Sequence, residues 1–163
     1  MGTNKANEGG ENMSVLKAKR SESKAEYINT ADIIYVQTIG FLSRLSARYS
    51  RLVASNIAKL ASEMLSHCEM ANNIFPSDEE RKKQRKYHLL EARALLMALD
   101  VHLGHCYQIM MTNPSGCFMT SSGNKVDSSS AKRKLDYMAQ NIGELIDKEN
   151  SLLNKVLKSD RSR

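Results

Sequence analysis

The chain has 163 residues, 41% of them hydrophobic and 26% charged, with a net charge of +6 and a pI near 9.3. That is enough chain for one domain with a real core and too little for two comfortable ones, and the composition excludes wholesale disorder. No stretch approaches the ~20 uncharged apolar residues of a membrane span, because Arg93 and Asp100 interrupt the best candidate.

The N-terminal MGTNKANEGGEN has no apolar signal core, and Ala6 stands where a myristoylation pattern needs Ser or Thr. Residues 1–20 read as a flexible tail. Cys68, Cys106 and Cys117 form an odd set without framework spacing, which suits a reducing cytoplasm.

From there the signal is helical four times over. Tyr27, Ala31, Ile34, Thr38, Phe41 and Leu45 repeat at helical spacing and predict a first helix over about 22–45. Val53, Ile57, Leu60, Met64, Cys68, Ala71 and Phe75 predict a second over 48–74. Neither Pro nor Gly separates the two stripes, so the turn is placed near Leu45–Tyr49 with Ser46 as a weak cap. Pro76 closes the second helix, and Ser77-Asp78-Glu79-Glu80 reads as a capping box with Ser77 as the cap. The third helix then spans 78–111 and stops at Asn113-Pro114-Ser115-Gly116. Residues 112–128 read as a loop. Asp127 to Ser130 offer caps for a fourth helix over 129–158, where Leu135, Met138, Ile142, Leu145, Glu149, Leu152 and Val156 hold a 3-4 spacing. Residues 159–163 form a basic C-terminal tail. The expected fold class is all-α, an antiparallel up-down-up-down four-helix bundle.

Catalytic chemistry is poorly supplied. A di-iron bundle needs paired Glu-x-x-His motifs, and here Glu63 and His67 are four apart. His102, His105 and Cys106 share one helix and read as packed side chains of a buried segment rather than metal ligands. Cys68 and Cys106 have no evident oxyanion partner. No phosphate-cradling glycine loop occurs. No catalytic residue, metal or cofactor is expected.

The basic residues say more. Arg81, Lys82, Lys83, Arg85 and Lys86 occupy five of six consecutive positions. Asp78–Lys82 and Glu79–Lys83 can pair at i,i+4, each worth a few tenths of a kcal/mol. Arg81–Arg85 and Lys82–Lys86 are like-charge pairs, and positive charge at a helix N-terminus opposes the macrodipole. Stability does not explain the cluster, whereas binding a polyanion does. In the expected topology this cluster meets Lys17, Lys19, Arg20, Lys24, Lys155, Lys158, Arg161 and Arg163 at one end. Arg44, Arg48, Arg51, Lys132, Arg133 and Lys134 gather at the other. With no interleaved aromatics, the contacts expected are with the phosphate backbone of RNA or DNA, not with bases. A protein-interaction scaffold with incidental charge is the alternative.

Between Leu89 and Met111 apolar residues occupy every face of the third helix, more than one bundle can enclose, so a homo-oligomer is expected. Glu149 lies in the apolar seam of the fourth helix. Counting equal distances from the loop places it opposite residue 92, and Arg93 is the nearest cation, so an Arg93–Glu149 ion pair is expected.

The runs SARYSRLVASNIAKLASEMLSHCEMANNIF, KYHLLEARALLMALDVHLGHCY and LDYMAQNIGELIDKENSLLNKVLK together resemble the four-helix-bundle family of ribosomal RNA intervening-sequence proteins. Relatives of that family include the accessory variability determinant proteins of diversity-generating retroelements. The resemblance covers about residues 25–158. It departs from the family in lacking a Pro-rich turn between the first two helices and in its longer loop between the last two. It implies a non-enzymatic, basic, homopentameric bundle that partners a reverse transcriptase and its template RNA.

Overall fold

A computed structural model describes residues 25–162. The chain forms α1 (Glu26–Leu42), then α2 (Ala47–Tyr49) running through a π-helical turn (Ser50–Ala54) into α3 (Ser55–Asn73), then α4 (Glu79–Met111) and α5 (Ser128–Arg161), with a 3-10 turn at Pro114–Cys117. Four long helical runs result, counting α2 and α3 as one. Among the described residues the only strand-like pairing is a single antiparallel bridge between Met119 and Lys125, closed by Gly123, whose φ of +82 favours glycine. The tail at 1–20 and the cations Lys17, Lys19, Arg20, Lys24 and Arg163 lie outside the described residues.

Apolar spacing explains which face each helix buries. Along α1 these are Tyr27, Ala31, Ile34, Phe41 and Leu42, along α3 Ile57, Ala61, Met64, Cys68 and Ala71. Helix α4 buries Leu89, Ala92, Leu96, Leu99, Leu103, Cys106 and Met110, and α5 buries Ala131, Leu135, Ile142, Ile146, Leu153 and Leu157. Each such large side chain contributes about 1.5–3 kcal/mol of burial. The helices contact in a cycle, α1 on α3, α3 on α4, α4 on α5 and α5 on α1, so α1 and α4 occupy opposite corners.

The ends of the helices differ in detail from the sequence expectation. Helix α1 stops at Leu42, and the chain re-enters helix at Ala47 after Ser46, whose backbone is extended but whose hydroxyl caps nothing. At α4 the cap is Asp78, not Ser77: the Arg81 amide donates to Asp78 Oδ1 at 2.9 Å, and the Ser77 hydroxyl turns to Asp78 Oδ2 instead. A carboxylate is the better acceptor for an orphan amide at a positive dipole end. Asp127 caps α5 in the same way, accepting from the Ser130 amide at 2.9 Å.

Candidate nucleic-acid interface

Side-chain contacts join the first turn of α1 to the last turn of α3, and the start of α4 to the end of α3 and the end of α5. Tyr27 donates to Asn72 Oδ1 at 3.5 Å. Arg85 reaches across to three partners: its Nε lies 2.6 Å from Asp160 Oδ2, and its Nη1 donates to the Ala71 carbonyl at 2.7 Å and the Ile74 carbonyl at 3.3 Å. Those carbonyls lie in the last turn of α3 and at its C-cap; the Ala71 carbonyl also accepts from the Ile74 amide at 3.3 Å, so Arg85 adds a second donor there. Arg85 and Asp160 side chains are only 14% and 16% exposed. Arg85 is therefore a clamp between three helices, its guanidinium engaged internally where a phosphate contact was expected.

The neighbouring cations divide by occupation. Arg81 lies 3.6 Å from Asp78 and donates to the Ser77 hydroxyl; Lys82 pairs with Glu79 at 3.0 Å. These i,i+3 pairs replace the i,i+4 pairs expected. Lys83 and Lys86 are exposed and have no acidic partner among the described residues. They face a groove of about 200 Å³ floored by Leu157 and closed by Lys82 and Arg161. Its two acids, Glu79 and Asp160, are already held by Lys82 and Arg85. What remains toward solvent is net positive, with ammonium groups free to meet an anion.

At the opposite end, Arg44 and Lys134 converge on the Phe118 ring, 5.0 and 5.4 Å from its centroid. Arg133 donates to the Ser130 hydroxyl at 3.1 Å. Arg48, Arg51 and Lys132 are exposed and unpaired among the described residues. Of the six cations expected there, the structure joins only Arg44 and Lys134. A cleft of about 250 Å³ beside them runs between Leu45, Tyr49, Ile109 and Cys117.

Glu149 is fully buried, as its place in the seam requires, but its partner is not Arg93. The Cys68 thiol donates to Glu149 Oε1 at 3.6 Å, and Oε2 has no partner among the described residues. Burial first of all raises the Glu149 pKa to about 8, while the Cys68 contact and the Lys148 charge oppose it. Burial likewise pushes the Cys68 thiol far up, so it stays protonated and able to donate. Arg93 Nε donates to Asn150 Oδ1 at 2.9 Å. The physical reason is facial: Glu149 points inward toward α3, whereas Arg93 follows core residue Ala92 and emerges on the flank of α4.

A cluster that sequence reading missed lies between α3 and α4, next in the chain to Lys86. His67 Nδ1 and His88 Nδ1 are 2.9 Å apart, and Tyr87 packs edgewise against both rings. Nothing in the linear spacing of His67 and His88 announces this meeting. Burial, then the neighbouring His67, holds His88 below the ordinary histidine value. No three His, Cys, Asp or Glu side chains among the described residues gather to hold a metal ion. His102 and His105 stand exposed on α4 while Cys106 is buried, so they are not the packed trio expected. No helix among the described residues is long and apolar enough to cross a membrane.

The chain matches no protein-family model, no curated protein and no solved structure.

Proposed function

We propose that the protein is a non-enzymatic nucleic-acid-binding accessory protein, a cytoplasmic partner of a reverse transcriptase and its template RNA. The single observation that carries the nucleic-acid part is the groove at the basic end. Lys83, Lys86 and Arg161 face it, while its acids are neutralised by internal pairs. A cationic surface that contributes nothing to its own stability suits a phosphate backbone. The reverse-transcriptase partner comes from the family resemblance of the three helical runs, and so does the homopentamer.

Up-down-up-down order belongs to the same proposal, supported by the meeting of Tyr27 with Asn72 and of Arg85 with Asp160. Assembly is supported by apolar side chains that one copy leaves uncovered. These are Leu90, Met97 and Val101 on α4, and Ile33, Val36 and Ile39 on α1. The same two stripes favour the second reading, a scaffold that binds proteins and carries charge incidentally.

Titrating labelled RNA and DNA with the protein at several salt concentrations separates the two. The accessory role expects log K to fall linearly and steeply with log[salt]. A flat or absent dependence leaves the scaffold.

A further inference from the structure

We propose that Tyr87, backed by His67 and His88, is a stacking platform for an unpaired nucleobase, so that the basic end takes single-stranded rather than duplex nucleic acid. This rests on the reading of that end as a phosphate-binding surface and adds what the phosphates are attached to.

Three observations converge on it. The first is an aromatic cluster: the ring centroids of Tyr87 and His88 are 5.2 Å apart, His67 and His88 5.1 Å, and His67 and Tyr87 6.2 Å. The second is presentation. Tyr87 is 55% exposed although it belongs to a three-ring cluster, because it meets both histidines edgewise, at 67° and 72°. The 2.9 Å contact between His67 Nδ1 and His88 Nδ1 ties α3 to α4 beneath it, so the platform is held before any ligand arrives and little ordering remains to be done on binding.

The third is charge. Lys83 lies one helical turn before Tyr87, on a neighbouring position of the same face, and Lys86 is adjacent; neither has an acidic partner among the described residues. Of the acids near the platform, Glu63 is paired with Lys59 at 3.6 Å. Glu91 acts on His88 from the turn beyond Tyr87. On the other side Glu80 accepts from Gln84 a turn before Lys83, so Lys83 and Lys86 are the cations beside Tyr87 that have no acidic partner among the described residues, which sets a phosphate at Lys83 and its base over Tyr87.

Cations within one helical turn of an exposed ring are the arrangement that binds single strands, because every base has a π-face to offer. In a duplex the bases are stacked on one another and turned inward, so Tyr87 meets only sugar and phosphate. Tyr87 also stands at the head of the stripe formed by Leu90, Met97 and Val101, so the test must separate stacking from apolar packing.

Labelled oligoadenylate of about 12 nucleotides is titrated at fixed salt against an abasic strand of equal charge, duplex RNA and inorganic polyphosphate. The expected result is that the intact strand binds about 5- to 100-fold more tightly than the abasic one. Tyr87→Leu removes that advantage without changing affinity for the abasic strand, and Tyr87→Phe keeps it. Equal binding of intact and abasic strands, or an unchanged advantage in Tyr87→Leu, overturns the platform while leaving the phosphate surface standing. Failure to bind any of the four polyanions overturns the phosphate surface and the platform with it.

Discussion

Arg85 and Asp160 meet at 2.6 Å, joining the start of α4 to the end of α5 across 75 residues of chain. Arg85 also holds two carbonyls of the last turn of α3. Replacing it with Gln strands a largely buried carboxylate and takes a donor from two carbonyls, of which Ala71 keeps the Ile74 amide. The expected loss is about 3 kcal/mol in urea unfolding. Asp160→Asn should cost less, because the guanidinium keeps its carbonyl partners. At temperatures where both variants stay folded, the salt slope of RNA binding should be unchanged. A slope flattened by Arg85→Gln in a folded protein would return Arg85 to the interface.

Lys83 and Lys86 should show the opposite signature. Both are exposed and unpaired, so changing both to Gln should move stability by no more than about 0.5 kcal/mol. Binding should weaken across sequences, and the slope of log K against log[salt] should flatten by about 0.7–0.9 per lost contact. Fluorescence anisotropy at four salt concentrations reads this directly. Wild-type slope in the double variant would remove the pair from the contact surface.

The contrast within Arg81–Lys86 shows how far the sequence was legible. Helical spacing alone located the four helical runs, since burying one apolar face every 3.6 residues is a local rule. That rule also placed Glu149 in a buried seam. It did not identify partners, because a partner depends on register and on which way a side chain leaves its helix. Counting from the loop put Glu149 opposite residue 92, with Arg93 the nearest cation; Arg93 with Asn150 and Arg85 with Asp160 show a register two or more residues longer. Five adjacent cations looked alike in one dimension. In three, Arg85 turns inward to Asp160, Arg81 and Lys82 fold onto their own helix cap, and Lys83 and Lys86 face solvent. His67 and His88, 21 residues apart, meet only because α3 and α4 pack against each other across the turn at Ile74–Asp78. Sequence reading found no aromatic interleaved among the cations as a stacking platform requires, and Tyr87, which directly follows Lys86, shows its two histidine neighbours only in the fold.

The proposed assembly rests on apolar surface that one copy leaves exposed. Val101 and Val36 are each 57% exposed, on helices at opposite corners of the cycle. Light scattering should give a mass several times 18.3 kDa. Met97→Glu with Val101→Glu should lower it toward a single chain, because two carboxylates cannot be desolvated in an apolar seam without partners. A wild-type protein that runs as a stable monomer at micromolar concentration would contradict the oligomer.

Glu149 should make stability depend on pH in an unusual direction. Its carboxyl is raised from 4.5 to about 8 by burial, so the folded protein holds a proton that the unfolded chain releases. Stability is therefore fully present below about pH 4.5, and this contribution declines as pH rises to about 8, where the buried group ionises. At roughly 1.4 kcal/mol per pH unit, the cumulative loss is on the order of 4–5 kcal/mol. The ionised group finds little help: the Cys68 thiol is its one hydrogen bond, Oε2 has none, and Glu26 on α1 repels it while Lys148 attracts. Glu149→Leu removes both the titration and the orphaned oxygen. Urea midpoints for wild type and variant, measured from pH 5 to 9, should run together near pH 5 and diverge as pH rises, the variant becoming the more stable. Every other ionisable group is common to both proteins, so the difference between the two curves isolates Glu149. Parallel curves would mean that the carboxyl ionises at its ordinary value and that water or a cation reaches it.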